Sequence, residues 1–190
     1  MIAICIGHSR KINGRYDGGA YSPTLKLNER DFNLKVASEL QEMLFLNGVK
    51  SVIIDDYQGN GYGSAMANVA ADVKAKGATV AVELHFNSAS PSASGNEWLY
   101  WSTSKNGQRM ADCFNRSFNT AFPMSNERGM KPITPSDRGG AFLRNTHCPS
   151  IITEPFFGSN YRDSLTFATD SGAMKLARSY CVALLEFLGK

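Results

Sequence analysis

Features that mark several broad classes of protein are missing from this sequence of 190 residues. No stretch approaches the roughly 20 consecutive apolar residues of a membrane-spanning helix. Charges of one sign form no block, and the net charge of +3 is too small to indicate a nucleic-acid-binding surface. The four cysteines include no CxxC pair and therefore indicate neither a zinc knuckle nor a redox motif. The first residues lack a basic leader, so we expect a chain made in the cytoplasm without a signal peptide.

The residues that are present indicate one globular domain. Hydrophobic residues make up 43% of the chain, and neither a repeat nor a linker divides it. Strand-like apolar runs alternate with segments of helical periodicity, which predicts a single α/β domain over residues 1–190. We expect a mostly parallel (mixed) central sheet of about six strands with helices on both faces. The expected strands cover residues 2–6, 49–54, 79–84, 96–101, 141–144 and 150–153, the expected helices cover 29–46, 65–76, 104–121 and 172–188, and 122–140 is an expected loop.

Polar side chains follow three of the predicted strands. His8 comes just after the first strand, His85 follows the strand that ends at residue 84, and Glu154 follows the strand 150–153. Glu29 opens the first helix in the middle of its apolar stripe, so its carboxylate is directed inward and needs a partner. Because the carboxyl ends of parallel strands meet at one edge of a sheet, we expect these four side chains to lie close together.

Two imidazoles and one carboxylate are a common ligand set of catalytic zinc sites, in which a further position is left for water. A second carboxylate would act as general base toward that water and as acid toward a leaving amine. We assign this role to Glu154, and a supporting role to Glu83, which shares a strand face with His85. On spacing alone, a simpler interpretation stays open: the two histidines are unrelated, and Glu29 only favours the positive end of the helix dipole.

Five segments together resemble the successive motifs of the zinc N-acetylmuramoyl-L-alanine amidases of the amidase-3 family. They are, in chain order, Ile6-Gly-His-Ser9, Glu29 at the start of a long helix, Leu84-His-Phe-Asn-Ser88, Gly95-Asn-Glu-Trp-Leu-Tyr100, and residues 144–160. The segments span nearly the whole chain and occur in the order of the family. The resemblance implies that His8, Glu29 and His85 hold one zinc ion and that Glu154 is the catalytic glutamate.

The resemblance also bears on the neighbours of these residues. Glu83, Asn87, Arg144 and Asn160 become candidates to support the ligands or to contact substrate. Two departures from the usual family motifs stand out. The first motif reads Cys5-Ile-Gly-His-Ser-Arg10 in place of Asp-Pro-Gly-His-Gly-Gly, and Glu83 stands where many members have a serine. Neither departure removes a proposed ligand, but both concern residues that would surround the ligands.

The resemblance implies an enzyme that hydrolyses the amide between the lactyl group of N-acetylmuramic acid and L-alanine in peptidoglycan. We expect a zinc-dependent monomer whose partner is peptidoglycan, with no nucleic acid and no membrane span. A phage endolysin without a separate wall-binding module is the favoured setting, in which the enzyme acts on the host cell wall, and a bacterial cell-wall hydrolase is the second. The alternatives are another zinc peptidase or deacylase on the same scaffold, and an inactive peptidoglycan-binding module. We also expect an open site, because residues 122–140 contain no segment typical of an autoinhibitory helix.

Other features have simpler interpretations. His147 lies seven residues before Glu154, so an extended chain would separate the two by roughly 20 Å. The glycines of residues 59–63 do not match the spacing of a dinucleotide-binding fingerprint. Trp98 is expected to pack in the sheet or to line a groove. Arg138, like the arginine at residue 144, is a candidate to bind a peptide carboxylate.

Overall fold

A six-stranded sheet organises the computed structural model, which describes residues 1–137 and 140–190. The strands are β1 (Ile2–Ile6), β2 (Lys11–Ile12), β3 (Arg15–Tyr16), β4 (Tyr21–Ser22), β5 (Leu27–Asn28), β6 (Ser51–Ile54), β7 (Val80–Leu84), β8 (Asn96–Trp101), β9 (Glu127–Ile133) and β10 (Ser150–Glu154). The helices are α1 (Glu29–Leu46), α2 (Tyr62–Ala75), α3 (Lys105–Ala121), α4 (Gly140–Asn145), α5 (Tyr161–Leu165) and α6 (Asp170–Leu188). The strands β2 and β3, and likewise β4 and β5, form small hairpins between β1 and α1.

The central sheet has the order β6-β1-β7-β10-β8-β9. The first four of these strands run parallel to one another, β8 runs antiparallel to β10, and β9 runs parallel to β8. The strands β1, β7 and β10 therefore end at the same edge of the sheet at which β8 and β9 begin. This architecture confirms the predicted α/β domain with a mostly parallel, mixed sheet of six strands.

Two apolar layers cover the two faces of the sheet. Helices α1, α3 and α6 pack on one face, and α2 and α4 pack on the other. Strand β7 is buried along its whole length, as expected for a strand covered on both sides. Because its side chains alternate, Val82 and Leu84 face the three-helix layer, while Glu83 and the following His85 face the side of α2. None of the helices in the described ranges is long and apolar enough to cross a membrane.

Two predicted elements were wrong. Residues 141–144 were expected to form a strand, but they belong to the helix α4. Phe142 and Leu143 are adjacent and both buried, which a helix allows and a half-buried strand does not. The apolar run is too short for its periodicity to distinguish a helix from a strand. The expected loop 122–140 contains strand β9, whose Pro132 is tolerated because β9 lies at the edge of the sheet.

Several boundaries also differ from the prediction. Helix α2 begins at Tyr62 rather than at residue 65, and α6 begins at Asp170 rather than at residue 172. The hydroxyl of Thr169 accepts a hydrogen bond from the main-chain N–H of Gly172. Thr169 is therefore the N-cap, and the helix begins at the next residue, two positions before the glycine. Helix α5 was not predicted. Arg138 lies outside the described residues.

Candidate active site

A groove of about 650 Å³ lies over the edge where β1, β7 and β10 end. Its lining includes two histidines and four glutamates, namely His8, His85, Glu29, Glu83, Glu97 and Glu154. No lysine or arginine of the described ranges belongs to its lining. The groove therefore concentrates acidic and imidazole groups at the position that the strand order predicts for a ligand site.

The side chains of His8, Glu29 and His85 converge in this groove. Each offers one ligand atom, and the three atoms lie within 4.8 Å of one another. Nδ1 of His85 lies 2.8 Å from Oε1 of Glu29, and Nε2 of His8 lies 3.5 Å from Oε2 of the same carboxylate. The three residues come from the end of β1, the start of α1 and the end of β7. They form a group that could hold one metal ion.

The carboxylate of Glu29 is fixed by the main chain as well. Its Oε1 accepts a hydrogen bond from the N–H of Phe86 at 3.2 Å, and its Oε2 accepts one from the N–H of Ala20 at 3.2 Å. Burial by itself would raise the pKa of Glu29, but the hydrogen bond with His85 and the nearby His8 outweigh it and leave that pKa lowered. Glu29 is therefore held as an anion.

The loop between β1 and α1 is shaped to bring these groups together. His8 has φ of 59°, a left-handed conformation that is uncommon for a residue with a side chain. Gly19, with φ of 71°, passes so close that a Cβ there would lie 2.7 Å from the His8 ring and 2.8 Å from Oε2 of Glu29. Only a glycine allows this approach, because any larger residue would displace a candidate ligand.

Each imidazole has a second carboxylate at its other nitrogen. Nδ1 of His8 lies 3.5 Å from Oδ2 of Asp17, and Nε2 of His85 lies 3.5 Å from Oε2 of Glu83. Burial alone would lower the pKa of His85, but the two neighbouring glutamates hold it well above its usual range. Carboxylates in these positions fix the orientation of an imidazole and raise its basicity, an arrangement that often accompanies histidine ligands.

Glu83 was predicted from the sequence as a supporting residue, whereas Asp17 was not considered. The aspartate lies in the Gly-rich segment Tyr16-Asp-Gly-Gly19, between the hairpins that precede α1. The sequence signal for this aspartate is its closeness to His8 along the chain. The segment has no periodicity that would predict the course of its backbone.

Glu154 closes β10 and differs from the other acids of the groove. Its main chain is adjacent to His85, whose N–H donates to the carbonyl of Thr153 at 3.1 Å. Its Oε2 is buried and has no hydrogen-bond partner within the described part of the chain. Burial raises the pKa of Glu154 to about 8, with the other groove glutamates adding to the effect and His85 opposing it. Glu154 can therefore exchange a proton near neutral pH.

Glu97 lies directly opposite Glu154 in the pairing of β8 with β10. Unlike Glu154, it is neutralised, since Nε of Arg128 contacts its Oε1 and Nδ2 of Asn87 donates to its Oε2 at 3.3 Å. Asn87, a candidate from the sequence, thus lines the groove and holds a neighbouring acid.

The remaining candidates lie elsewhere. Asn160 occupies the N-cap of α5, where its Oδ1 accepts from the N–H of Asp163 and its Nδ2 donates to the carbonyl of Pro91. Arg144 is exposed near the end of α4 and is not part of the groove lining. It precedes β10, whose opposite end carries Glu154, so Arg144 lies toward the other edge of the sheet.

The other features singled out in the sequence have structural roles or lie apart from the groove. His147 is exposed ahead of β10 and is not a member of the ligand group. Trp98 is fully buried and packs against Phe114, Phe118 and Tyr180, so it fills the core rather than lining a groove.

The fold and the groove together define a mixed-sheet α/β domain with a possible metal site beside a carboxylate of raised pKa. Residues 2–186 match the Amidase_3 family model, described as N-acetylmuramoyl-L-alanine amidase, and the chain belongs to this family. The enzyme class predicted from the motifs is thereby confirmed: the protein is a peptidoglycan amidase.

Solved structures share the fold at low sequence identity. The CwlD amidase from Clostridioides difficile, in complex with the GerS lipoprotein, matches with a TM-score of 0.82 and 18% identity over 99% of this chain and 98% of that one. The catalytic domain of CwlV from Bacillus (Paenibacillus) polymyxa var. colistinus gives 0.80 and 21% over 99% and 98%. The catalytic domain of the CD27L endolysin, which targets Clostridia difficile, gives 0.76 and 22% over 100% and 97%. A search of curated proteins found no match.

Proposed function

We propose that this amidase is zinc-dependent and cleaves the bond between the lactyl carbonyl of N-acetylmuramic acid and L-alanine. In this proposal His8, Glu29 and His85 hold the ion, and Glu154 is the catalytic acid and base. The observation that carries the proposal is the convergence of three ligand atoms within 4.8 Å, next to a buried carboxylate oxygen without a hydrogen-bond partner in the described ranges.

The donor set fits zinc. Two ligands at about 2.1 Å from one ion in a tetrahedral site lie roughly 3.4 Å apart. The separations from Glu29, 2.8 Å to His85 and 3.5 Å to His8, bracket that value. Nitrogen and carboxylate donors are the types that zinc takes in catalytic sites, where three protein ligands leave a position for water. When bound, the ion supplies Lewis acidity: it polarises a carbonyl and makes water acidic enough to lose a proton near neutral pH.

The protein's own groups perform the proton transfers. Glu154, in its ionised form, takes a proton from the attacking water and passes it to the nitrogen of the departing alanine. In the metal-free groove the pKa of Glu154 is raised to about 8, and a cation held by the neighbouring ligand group would lower it and favour the ionised form that accepts a proton from water. Glu154 is half-buried at the groove, but its Oε2 is shielded from bulk water.

The supporting residues fix the geometry. We propose that Asp17 and Glu83 orient the two imidazoles through the nitrogens that face away from Glu29. Asn87 contributes indirectly, since its amide holds Glu97 beside the groove. For Arg144 and Asn160 we propose structural roles rather than substrate contacts, because the first lies at the end of β10 opposite Glu154 and the second caps a helix.

Digestion of purified peptidoglycan tests the proposal. Wild type is incubated with zinc and with a chelator, and Glu154→Ala is incubated with zinc; the products are identified by mass. We expect free alanine amino ends from the zinc-loaded wild type alone. Full activity of Glu154→Ala, or release of reducing sugars in place of amino ends, would contradict the mechanism. Cleavage of another amide in the stem peptide would instead support a different peptidase on this scaffold.

We further propose that the enzyme is a monomer that acts in phage-induced lysis of the cell wall, as a single catalytic domain with an open site. The CD27L endolysin domain shows that the fold occurs in such an enzyme, and the bacterial CwlD and CwlV match this chain with slightly higher TM-scores. A lysis assay tests the proposed role: purified protein is added to bacterial cells whose peptidoglycan is accessible, and the turbidity is followed. We expect the suspension to clear in a zinc-dependent way. Light scattering during size exclusion gives the oligomeric state.

A further inference from the structure

The lining of the groove reaches Glu97 and Leu99 of β8, and the edge strand β9 lies next to β8 in the sheet. In sheet order, His8 follows β1, His85 follows β7, Glu154 ends β10, Glu97 opens β8, and β9 comes next. Glu97 is paired with Glu154 on one side and with Gly129 of β9 on the other. The register of β9 shifts at this point, and Arg128 lies within the shift.

Three contacts hold the side chain of Arg128 beside the groove. Its Nε contacts Oε1 of Glu97, and its guanidinium carbon lies 5.2 Å from the ring centre of Phe157. Its aliphatic stem passes over Gly95, where an added Cβ would come within 3.0 Å of Cγ. The side chain is nevertheless 41% exposed, and its two terminal nitrogens have no hydrogen-bond partner among residues 1–137 and 140–190. A planar guanidinium in a fixed position is well suited to a carboxylate.

The position of the acid sets the direction of the substrate. If the proposed function holds, Glu154 must reach the nitrogen of the departing alanine, so the stem peptide lies on the side of Glu154 and the metal group on the other. On the side of Glu154 that faces away from His8 and His85, the described part of the sheet continues with β8 and β9. Neighbouring strands lie about 4.8 Å apart, so Arg128 is roughly 10 Å from Glu154 across two strands. One extended residue spans about 3.5 Å. The residue after alanine, together with its carboxylate and the long side chain of Arg128, can therefore bridge this distance.

We propose that Arg128 binds a carboxylate on the stem-peptide residue that follows L-alanine and makes the enzyme prefer stems in which this group is free rather than amidated. The inference rests on the proposed function. The simpler role of Arg128 is to neutralise Glu97, and loss of that role would leave an anion beside the groove that also disfavours the charged substrate. The ratio between the two substrates is therefore also measured in a Glu97→Gln background, in which Arg128 has no charge to neutralise and only a direct contact with the substrate carboxylate changes the ratio.

The test uses two synthetic N-acetylmuramoyl-L-alanyl-D-glutamyl γ-methylamides that differ only in the α group, which is a carboxylate in one and a carboxamide in the other. For the zinc-loaded wild type we expect kcat/KM to favour the carboxylate about tenfold, since a charge-assisted bidentate contact is lost in the amide. Arg128→Met keeps the apolar stem over Gly95 and should bring the ratio to about one, mainly through KM of the carboxylate substrate.

Two further variants complete the experiment. Lys131 is the other cation of β9 and lies opposite Leu99, so Lys131→Met is a matched charge removal that should keep the wild-type ratio. Arg128→Lys keeps the positive charge but cannot make the bidentate contact of a guanidinium, so it should give an intermediate ratio. It also provides the measurement if Arg128→Met does not fold.

The outcomes are distinct. Equal cleavage of both substrates by wild type, a preference for the amide, or an unchanged preference in Arg128→Met would overturn the inference and leave the proposed function intact. Loss of the preference in Lys131→Met but not in Arg128→Met would overturn it as well. Failure of zinc-loaded wild type to cleave either substrate would overturn the proposed function and this inference with it.

Discussion

Glu29 is buried and Glu154 is half-buried in the same groove, and the two carboxylates differ in their hydrogen bonds and neighbouring charges, which set their pKa values. Glu29 contacts two main-chain N–H groups and both imidazoles, and its pKa is lowered. Glu154 has a buried oxygen without a hydrogen-bond partner in the described ranges, and its pKa is raised to about 8. The comparison shows how one groove separates a fixed anion from a group that exchanges protons.

The difference has its origin in the elements that carry the two residues. Glu29 is the first residue of α1, where the free N–H groups and the helix dipole favour a negative charge. The loop that precedes α1 adds the N–H of Ala20. Glu154 ends a buried parallel strand, and its cross-strand neighbour is another acid, Glu97, whose charge is already satisfied by Arg128. The strand end therefore desolvates Glu154 without offering it a partner.

The largest effect is expected when the fixed anion is removed. Glu29→Gln keeps the size of the side chain but takes away the charge that both imidazoles face. We expect loss of zinc binding by at least a hundredfold and loss of wall hydrolysis by about a thousandfold or more. Metal content after dialysis and the rate of amino-end release measure the two. Retention of stoichiometric zinc by this variant would show that Glu29 is not a ligand.

Removal of the Glu154 carboxylate should lower activity without lowering the zinc content. Glu154→Gln is expected to lower kcat by roughly 10²- to 10⁴-fold, the usual contribution of a general acid and base. Its zinc content should equal that of wild type, because Glu154 does not belong to the ligand group. The two variants should therefore differ in their zinc content. A parallel loss of zinc in Glu154→Gln would show that Glu154 also helps to hold the metal, so the two glutamates would not have separate roles.

The pH dependence of stability should have opposite signs at the two positions. The pKa of Glu154 is raised from 4.5 to about 8, so the metal-free fold loses stability as pH rises from about 4.5 to 8. Glu154→Gln removes this loss, and we expect the variant to be more stable than wild type by up to about 5 kcal/mol at pH 9 but not at pH 4. Urea unfolding of metal-free protein at both values measures it.

Glu29 provides the matched control for that measurement. Because its pKa is lowered, its contribution to stability is present above its ordinary pKa of 4.5 and is lost as pH falls through the folded-state value. Glu29→Gln should therefore be less stable than wild type at pH 9, with a difference that shrinks in acid. If both variants shift stability in the same direction at pH 9, the contrast between the two environments is wrong.

The parts of this groove that could be predicted are those fixed by periodicity. His8, His85 and Glu154 follow buried strands, and parallel strands must end at one edge, so their meeting follows from the order of elements. Glu29 was identified because a carboxylate on the apolar stripe of a helix needs a partner, and it is indeed 3% exposed. These inferences use only the periodicity with which side chains change direction along a strand or a helix.

The parts that could not be predicted depend on irregular backbone. Asp17 reaches His8 through a loop of two short hairpins with left-handed residues, a path that no repeat in the sequence encodes. Arg128 was hidden because β9, Glu127–Ile133, contains a glycine and a proline and lacks alternation, so it was expected to be a loop. Arg144 was one of the two candidate arginines instead, and the structure places it in α4, toward the end of β10 opposite Glu154.

The smallest predicted effect concerns the carboxylates behind the imidazoles. Asp17→Asn and Glu83→Gln each remove one charge that faces the far nitrogen of a candidate ligand. We expect zinc affinity to fall by about 10- to 100-fold for Glu83→Gln, the range typical of such neighbours, and by less for Asp17→Asn. The aspartate is 35% exposed and the glutamate 3%, so water screens the first interaction far more than the second. Competition with a chromogenic chelator measures both affinities, and kcat of the zinc-saturated variants should stay within a few-fold of wild type. A larger effect from Asp17 would mean that the loop before α1, rather than burial, governs how firmly the imidazoles are held.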